Sequence, residues 1–328
     1  LVFLAGGLVP EQTMAITVKQ EEGMAHEFMR VVLQHYELIR DPTIVDYVNQ
    51  VGQKIVAGLP SKPFKYHFYV IREATYNAFA SPAGNIFVNS GLLAALDNES
   101  ELAGILAHEI AHAQCRHISQ RIERSSKMNL LALAGMAAGI LLGVGGSATA
   151  ASAVTVGTMA TEKSLALAYS REDEMQADQL GLGYLTAAGY PGTGLLTALK
   201  KIRSKQWFGS AQIPTYLKTH PASEDRIAYI DTWIQSHPQA GAPKEGGVTD
   251  SDYPFARANM RLVALYGDPK AALPRFTSAV DRNPEDPIAR YGLGLILART
   301  GNRPKAIGQL KKALAQNPFD PYLLADLG

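Results

Sequence analysis

The sequence predicts a mainly α (α+β) fold: a helical domain with a small β-sheet at a cleft, followed by an α-solenoid. Three observations predict it. Apolar residues recur at three- and four-residue spacing through most of the chain. Only two short runs, Phe64 to Ile71 and Asn77 to Val88, carry aromatic and β-branched residues in strand-like order. Beyond residue 252 the sequence repeats itself at a fixed interval.

The 328 residues are 47% hydrophobic, enough for a large core and for two domains. A net charge of +1 gives no electrostatic footprint for nucleic acid. The single Cys115 has no partner for an intramolecular disulfide. Three residues after His112, it reads as a small core residue and not as a metal ligand.

Leu1 to Pro10 looks like the tail of a signal-peptide hydrophobic region, which makes residues 1–20 a signal remnant or, alternatively, an ordinary N-terminal arm. Met24, Phe28, Val31, Val32, His35 and Leu38 predict a first helix over 21–40, broken by Asp41-Pro42. Ile44, Val48, Val51 and Ile55 predict a second over 43–57. Phe64 to Ile71 reads as a strand, with His67 on its face and not a ligand. Pro82-Ala83-Gly84-Asn85 turns the chain between two extended pieces, predicting a hairpin that leads straight into the next helix. Its first strand, around Asn77, Ala78 and Phe79, is either a rim that pairs with a peptide backbone or plain sheet.

The next helix carries the chemistry. Asn98 and Glu101 form a capping box, and Leu102, Ile105, Leu106 and Ile110 make the helix strongly apolar. Positions four apart share a helical face, so His108 and His112 project side by side with Glu109 one step round. The H-E-x-x-H pattern assigns the imidazoles to a zinc ion and the carboxylate to the proton of an activated water. A chance triplet on an ordinary helix is the competing reading, and the apolar setting argues against it.

Met128 to Thr161 is an uncharged stretch of 34 residues (161 − 128 + 1). One membrane crossing would part His108 and His112 from everything downstream, and two would need roughly forty apolar residues. The stretch therefore reads as a buried helical hairpin without a transmembrane span, or one touching a membrane surface peripherally. Tyr169 to Asp178 then forms an acidic helix, with Leu167, Met175, Leu182 and Leu185 turning it toward the core. Glu174 and Asp178 lie four apart. They are either a solvated face or a third zinc ligand (Glu174) and an acceptor that orients a ligating histidine (Asp178).

Asn77-Ala78-Phe79-Ala80, Gly91-Leu92-Leu93, Asn98 to Ala103, His108 to His112, Ser170 to Asp178, and Thr219-His220-Pro221 with Arg226 together resemble the gluzincin zinc metallopeptidases. The likeness is to the HtpX and CAAX-prenyl-protease kind, in the soluble periplasmic BepA-like branch, and it covers about residues 20 to 235. It implies a helical zincin-type peptidase domain over 21–235, one Zn2+ per chain held by His108, His112 and Glu174, and Glu109 as general acid and base. It also implies substrate contacts along Asn77, Ala78 and Phe79. His220, with Arg226 in the same element, would approach the metal as a switch or help stabilise the oxyanion. Unfolded or misassembled envelope proteins would be the substrates, in the periplasm. A chaperone or assembly factor with latent proteolysis is the alternative.

Residues 236–252, with two prolines and three glycines, read as a linker. From 253 to 328, Asn283-Pro284 recurs as Asn317-Pro318, a period of 34 (317 − 283). Gly267 pairs with Gly301, Ala272 with Ala306 and Phe276 with Leu310 at the same interval. This is the tetratricopeptide signature, in an array that ends inside a further first helix. It predicts a docking surface for a protein partner or, more weakly, a structural cap.

Overall fold

A computed structural model describes residues 16–124, 169–207, 215–220, 224–240 and 253–328. The N-terminal ten residues, the apolar stretch 128–161, Leu167, Pro221 and residues 241–252 of the expected linker lie outside the described residues. The expected linker starts too early, since Ser236 still belongs to a helix and Pro238–Ala240 form a short 3-10 turn with Ala240 buried.

Helix α1 (Val18–His35) starts at a reciprocal cap in which Thr17 accepts from the Gln20 amide and Gln20 accepts from the Thr17 amide. It buries Met24, Phe28, Val31 and Val32. It stops at His35, short of Arg40, because the next residues bond to a sheet edge instead: the Ile39 amide donates to Val70 O (2.9 Å) and the Arg72 amide to Glu37 O (2.8 Å). Asp41 then caps α2 (Pro42–Ala57) by accepting from the Thr43 amide (2.9 Å).

Strands β1 (His67–Ile71), β2 (Ala78–Ser81) and β3 (Asn85–Asn89) form one sheet in the order β1-β3-β2, β1 and β3 parallel, β2 and β3 antiparallel. Alternation sorts the side chains. Phe68, Val70, Ala78, Ala80, Ile86 and Val88 face the main core, while Ile71, Phe79 and Phe87 face a second cluster built on Met24 and Phe28 of α1. The predicted hairpin is present, with Ala83 (φ 58°) and Gly84 (φ 78°) in its turn. It does not lead straight into the chemical helix, because a short α3 (Ser90–Ala95) intervenes. Gly91 makes α3 fit: a Cβ there would stand 1.9 Å from Ala74 O.

Helix α4 (Glu99–Gln114) is buried from Glu99 to Ala113, which explains why its sequence is apolar around its circumference. Asn98 accepts from the Glu101 amide (2.9 Å), but Glu101 reaches the Asp97 amide (2.8 Å) and Lys201 (2.5 Å), so the capping box is only half formed. After the short α5 (His117–Arg124), α6 (Arg171–Ala187) and α7 (Thr193–Trp207) pack along α4. Two glycines set those approaches. A Cβ on Gly104 would meet Leu195 N at 2.5 Å, and one on Gly181 would meet His108 Cα at 3.2 Å. The short α8 (Thr215–Thr219) and α9 (Glu224–Ser236) complete this half.

Helices α10 (Tyr253–Tyr266), α11 (Pro269–Arg282), α12 (Pro287–Arg299), α13 (Arg303–Gln316) and α14 (Pro321–Leu327) form the solenoid. Its 34-residue period is visible in its joints. Asn283 and Asn317 close α11 and α13 with equivalent bonds to Ala279 O and Ala313 O. Asp286 and Asp320 open α12 and α14, each with proline at the next position. Helix α10 is shared, since Phe255, Ala258 and Leu262 sit in the main core of the preceding half. Polar bonds fix the joint: Asn259 donates to Leu93 O (3.0 Å), and Arg261 bridges Asp41 (2.8 Å) to Asp326 and the Tyr291 hydroxyl (2.7 Å).

Candidate metal centre

Helix α4 carries His108 and His112 on one face, and their Nε2 atoms converge to 3.0 Å. Helix α6 crosses there and turns Glu174, Asp178 and Gly181 inward, spaced four and then three apart, so that they form one stripe against α4. Glu174 Oε2 lies 3.5 Å from His108 Nε2, and Oε1 lies 3.3 Å from His112 Nε2. At the end of α8, His220 places Nδ1 3.0 Å from Glu174 Oε1. One ligand atom from each of His108, His112, Glu174 and His220 lies within 4.8 Å of the other three, all four residues are buried, and among the described residues this is the one such group.

The carboxylate stripe is balanced from behind. Asp178 Oδ1 stands 3.0 Å from His108 Nδ1. Arg226, on α9, donates to both oxygens of Asp178 (2.7 Å each) and to Glu174. Burial works to raise the Glu174 pKa, yet Arg226 and the three histidines hold it well below the usual carboxylate range. Burial likewise opposes charge on His108, but Asp178 and Glu174 outweigh it and push its pKa up to about 9. Burial drives His112 well below the ordinary histidine value. Glu174 is thus held as an anion and His112 as a neutral imidazole, the forms in which each can give a lone pair to a cation.

Glu109 is 0% exposed, neither carboxylate oxygen has a well-aligned hydrogen-bond partner among the described residues, and His220 Nε2, likewise unpartnered among them, is 3.8 Å away. Burial raises the Glu109 pKa, moderated by His220 and His108. Buried polar atoms left open in this way need a ligand to complete them. Three imidazoles and a carboxylate suit zinc, so the residues fit the metal that H-E-x-x-H implies.

The sequence-predicted residues are therefore brought together, except along the rim. Asn77, Ala78 and Phe79 are all buried, and the Phe79 ring stacks on Phe87 (5.0 Å) on the far side of the sheet. What this edge strand can offer a peptide is backbone. Asn77 O accepts from the Asn89 amide (2.9 Å), so alternation directs the polar groups of Ala78 and Ala80 outward. His67 is exposed and Cys115, half-buried at the end of α4, stays outside the cluster. Met175, expected to face the core, is 47% exposed because it lies a third of a turn off the Glu174 stripe.

Sequence reasoning missed three aromatic neighbours. Tyr169 packs on His112 (3.9 Å between centroids), Tyr216 stacks on His220 (4.5 Å, 18°), and the hydroxyls of both tyrosines are buried without a partner among the described residues. The Tyr216 amide also donates to Tyr76 O (3.0 Å), tying α8 to the segment that enters β2. His117 is the third, with Nδ1 2.8 Å from His112 Nδ1.

Comparison with known proteins extends the picture. The pattern of peptidase family M48 matches residues 42–234, more than half of the chain, and that of the tetratricopeptide repeat matches 267–321. The beta-barrel assembly-enhancing proteases of Yersinia pestis and Escherichia coli (strain K12) are 29% and 31% identical over 97% and 94% of this chain, which covers 66% and 62% of their lengths. The mitochondrial metalloendopeptidase OMA1 of Schizosaccharomyces pombe is 28% identical over 70% of the chain, covering 65% of that relative. The chain thus spans 62 to 66% of the length of these curated relatives.

Proposed function

This chain belongs to peptidase family M48, and on that premise we propose that it is a zinc-dependent endopeptidase acting on unfolded or misassembled proteins of the bacterial envelope, in the periplasm. The observation that carries the reading is the buried quartet of His108, His112, Glu174 and His220 with the open carboxylate of Glu109 beside it.

His108, His112 and Glu174 hold the metal in this reading, one ion per chain. When bound, zinc polarises the scissile carbonyl and acidifies water, bringing its pKa toward about 7. Glu109 takes the proton from that water at Oε1 or Oε2 and returns it to the leaving amine. Its burial favours this exchange, because a carboxylate of raised pKa is a stronger base toward that water, and the leaving amine, a stronger base still, can take the proton from it. Asp178 orients His108, and Arg226 keeps Asp178 and Glu174 charged and fixed. The substrate backbone lies along the outward groups of Ala78 and Ala80, with specificity coming from outside Phe79.

The repeats supply a surface for a protein partner, and the envelope setting rests on relatives named for enhancing β-barrel assembly. No helix among the described residues is long and apolar enough to cross a membrane.

Zinc analysis of purified protein, paired with digestion of a casein-type substrate before and after chelation, tests the reading. About one zinc per chain and digestion that stops with chelator and returns with zinc is the expected result. Full digestion by metal-free protein would end the proposal.

One observation favours a second reading, an assembly factor whose proteolysis is held latent. His220 stands inside the metal group, where it can occupy the position a substrate or water needs. His220→Ala should then raise cleavage of a loosely folded substrate several-fold, as a gating residue does. An unchanged or lower rate in a steady-state assay would count against latency, and only a lower one would leave His220 as an aid to oxyanion stabilisation.

A further inference from the structure

The two metal-facing histidines of α4 are held from behind by different chemistry. His108 has the Asp178 carboxylate at Nδ1. Among the described residues His112 has no carboxylate at that atom; it has the imidazole of His117, with Nδ1 to Nδ1 at 2.8 Å and the rings edge to face at 74°. His117 is buried, belongs to α5, and is met on its other side by α6: its Nε2 lies 2.9 Å from Gln176 Oε1 and 3.9 Å from Asp173 Oδ1. Asp173 is itself anchored by Arg121 (2.7 Å) and by the Ser170 amide (2.9 Å).

The protons in this chain can be assigned. Both groups facing His117 Nε2 are oxygens that only accept, so Nε2 carries the hydrogen. A neutral imidazole has one donor and one acceptor, so His117 Nδ1 presents a lone pair. The contact at 2.8 Å then requires His112 Nδ1 to donate, which leaves His112 Nε2 as a bare lone pair directed at Glu174 and His108. That is the tautomer a metal ligand needs. We propose that His117 is a positioning residue that fixes the tautomer and aim of His112, completing with the Asp178 support of His108 a pair of α4 ligands held from opposite sides. The inference rests on the zinc reading above and adds a residue to it.

The test uses the full chain, zinc ion alone, and competition with a chelator of known affinity. His117→Phe keeps the ring volume against His112 and Tyr169 but removes the acceptor; it should weaken zinc binding about 10- to 100-fold, the usual effect of losing such a support. His117→Asn can place its Oδ1 where Nδ1 stood and should recover most of the affinity. Loss in Phe with recovery in Asn supports the proposal. Undiminished affinity in Phe, or equal loss in both, overturns it, since a residue that merely fills space would be replaced best by Phe. Should the Phe chain fail to fold, the imidazole nitrogen shifts of the metal-free wild-type chain decide by NMR: a proton on His112 Nδ1 and on His117 Nε2 supports the proposal, and one on His112 Nε2 or His117 Nδ1 overturns it. A wild-type chain that binds no zinc brings down the metal reading itself, a result distinct from all of these.

Discussion

Glu109→Gln is expected to slow peptide hydrolysis about 100- to 10,000-fold while the protein keeps its zinc. The substitution conserves shape and removes only the ability to take a proton. In the structure the carboxylate is fully buried beside the His108 and His112 pair, its oxygens have no well-aligned hydrogen-bond partner among the described residues, and it is not one of the four clustered metal donors. Packing and metal content should therefore survive. The measurement is the cleavage rate of a loosely folded protein alongside zinc content of the same preparation. A fast, fully zinc-loaded Gln variant would show that some other group moves the proton. Full retention of the protein's cellular role by an inactive variant would instead favour the assembly-factor reading.

A second large effect is expected from Arg226→Met, and here it is on stability. Arg226 is 7% exposed and its guanidinium spans Glu174 and Asp178, which are 1% and 0% exposed. Burial works against its charge, but the two carboxylates more than compensate and raise its pKa above the usual value. Met fills similar space and supplies no charge, leaving two carboxylates in a dry pocket. Removing one partner of a buried ion pair costs about 3–5 kcal/mol. For a domain of this size that corresponds to a melting midpoint lower by roughly 6–20 °C in metal-free protein. A midpoint within about 2 °C of wild type would mean that the carboxylates have other means of neutralisation.

The parts of the site that could be read from sequence are those fixed by local helical geometry. His108 with His112, and Glu174 with Asp178, are each four apart on one helix, and that spacing alone aligns them. That the two pairs face one another depends on Gly104 and Gly181 letting three helices close in, which no spacing reveals. His117 lies five residues after His112, a separation that on a continuous helix points it about 140° away. The helix breaks first: Cys115 ends α4, Arg116 takes a left-handed φ of 57°, and α5 folds back to bring His117 to its partner. Tyr216 and Arg226 reach the centre from α8 and α9, which local pattern cannot place; Arg226 was anticipated only through family resemblance. In the fold, α1, α2, α4, α6, the strands and the repeats are legible from periodicity and turn residues, while α5, α7, α8 and α9, the early stop of α1 and the insertion of α3 are not. The stop of α1 and the insertion of α3 are set by bonds to partners distant in sequence, at Val70, Glu73 and Asn259.

Helix α10 belongs to two bodies at once. By period it opens the solenoid, yet Phe255, Ala258 and Leu262 line the interior of the peptidase half, and Arg261 answers the aspartate that caps α2. A recombination junction placed just ahead of Tyr253 would therefore strip the M48 half of a wall and leave Asp41 unanswered. Chimeras that exchange this repeat array should be joined after Tyr266, so that the M48 half travels with its own first repeat helix.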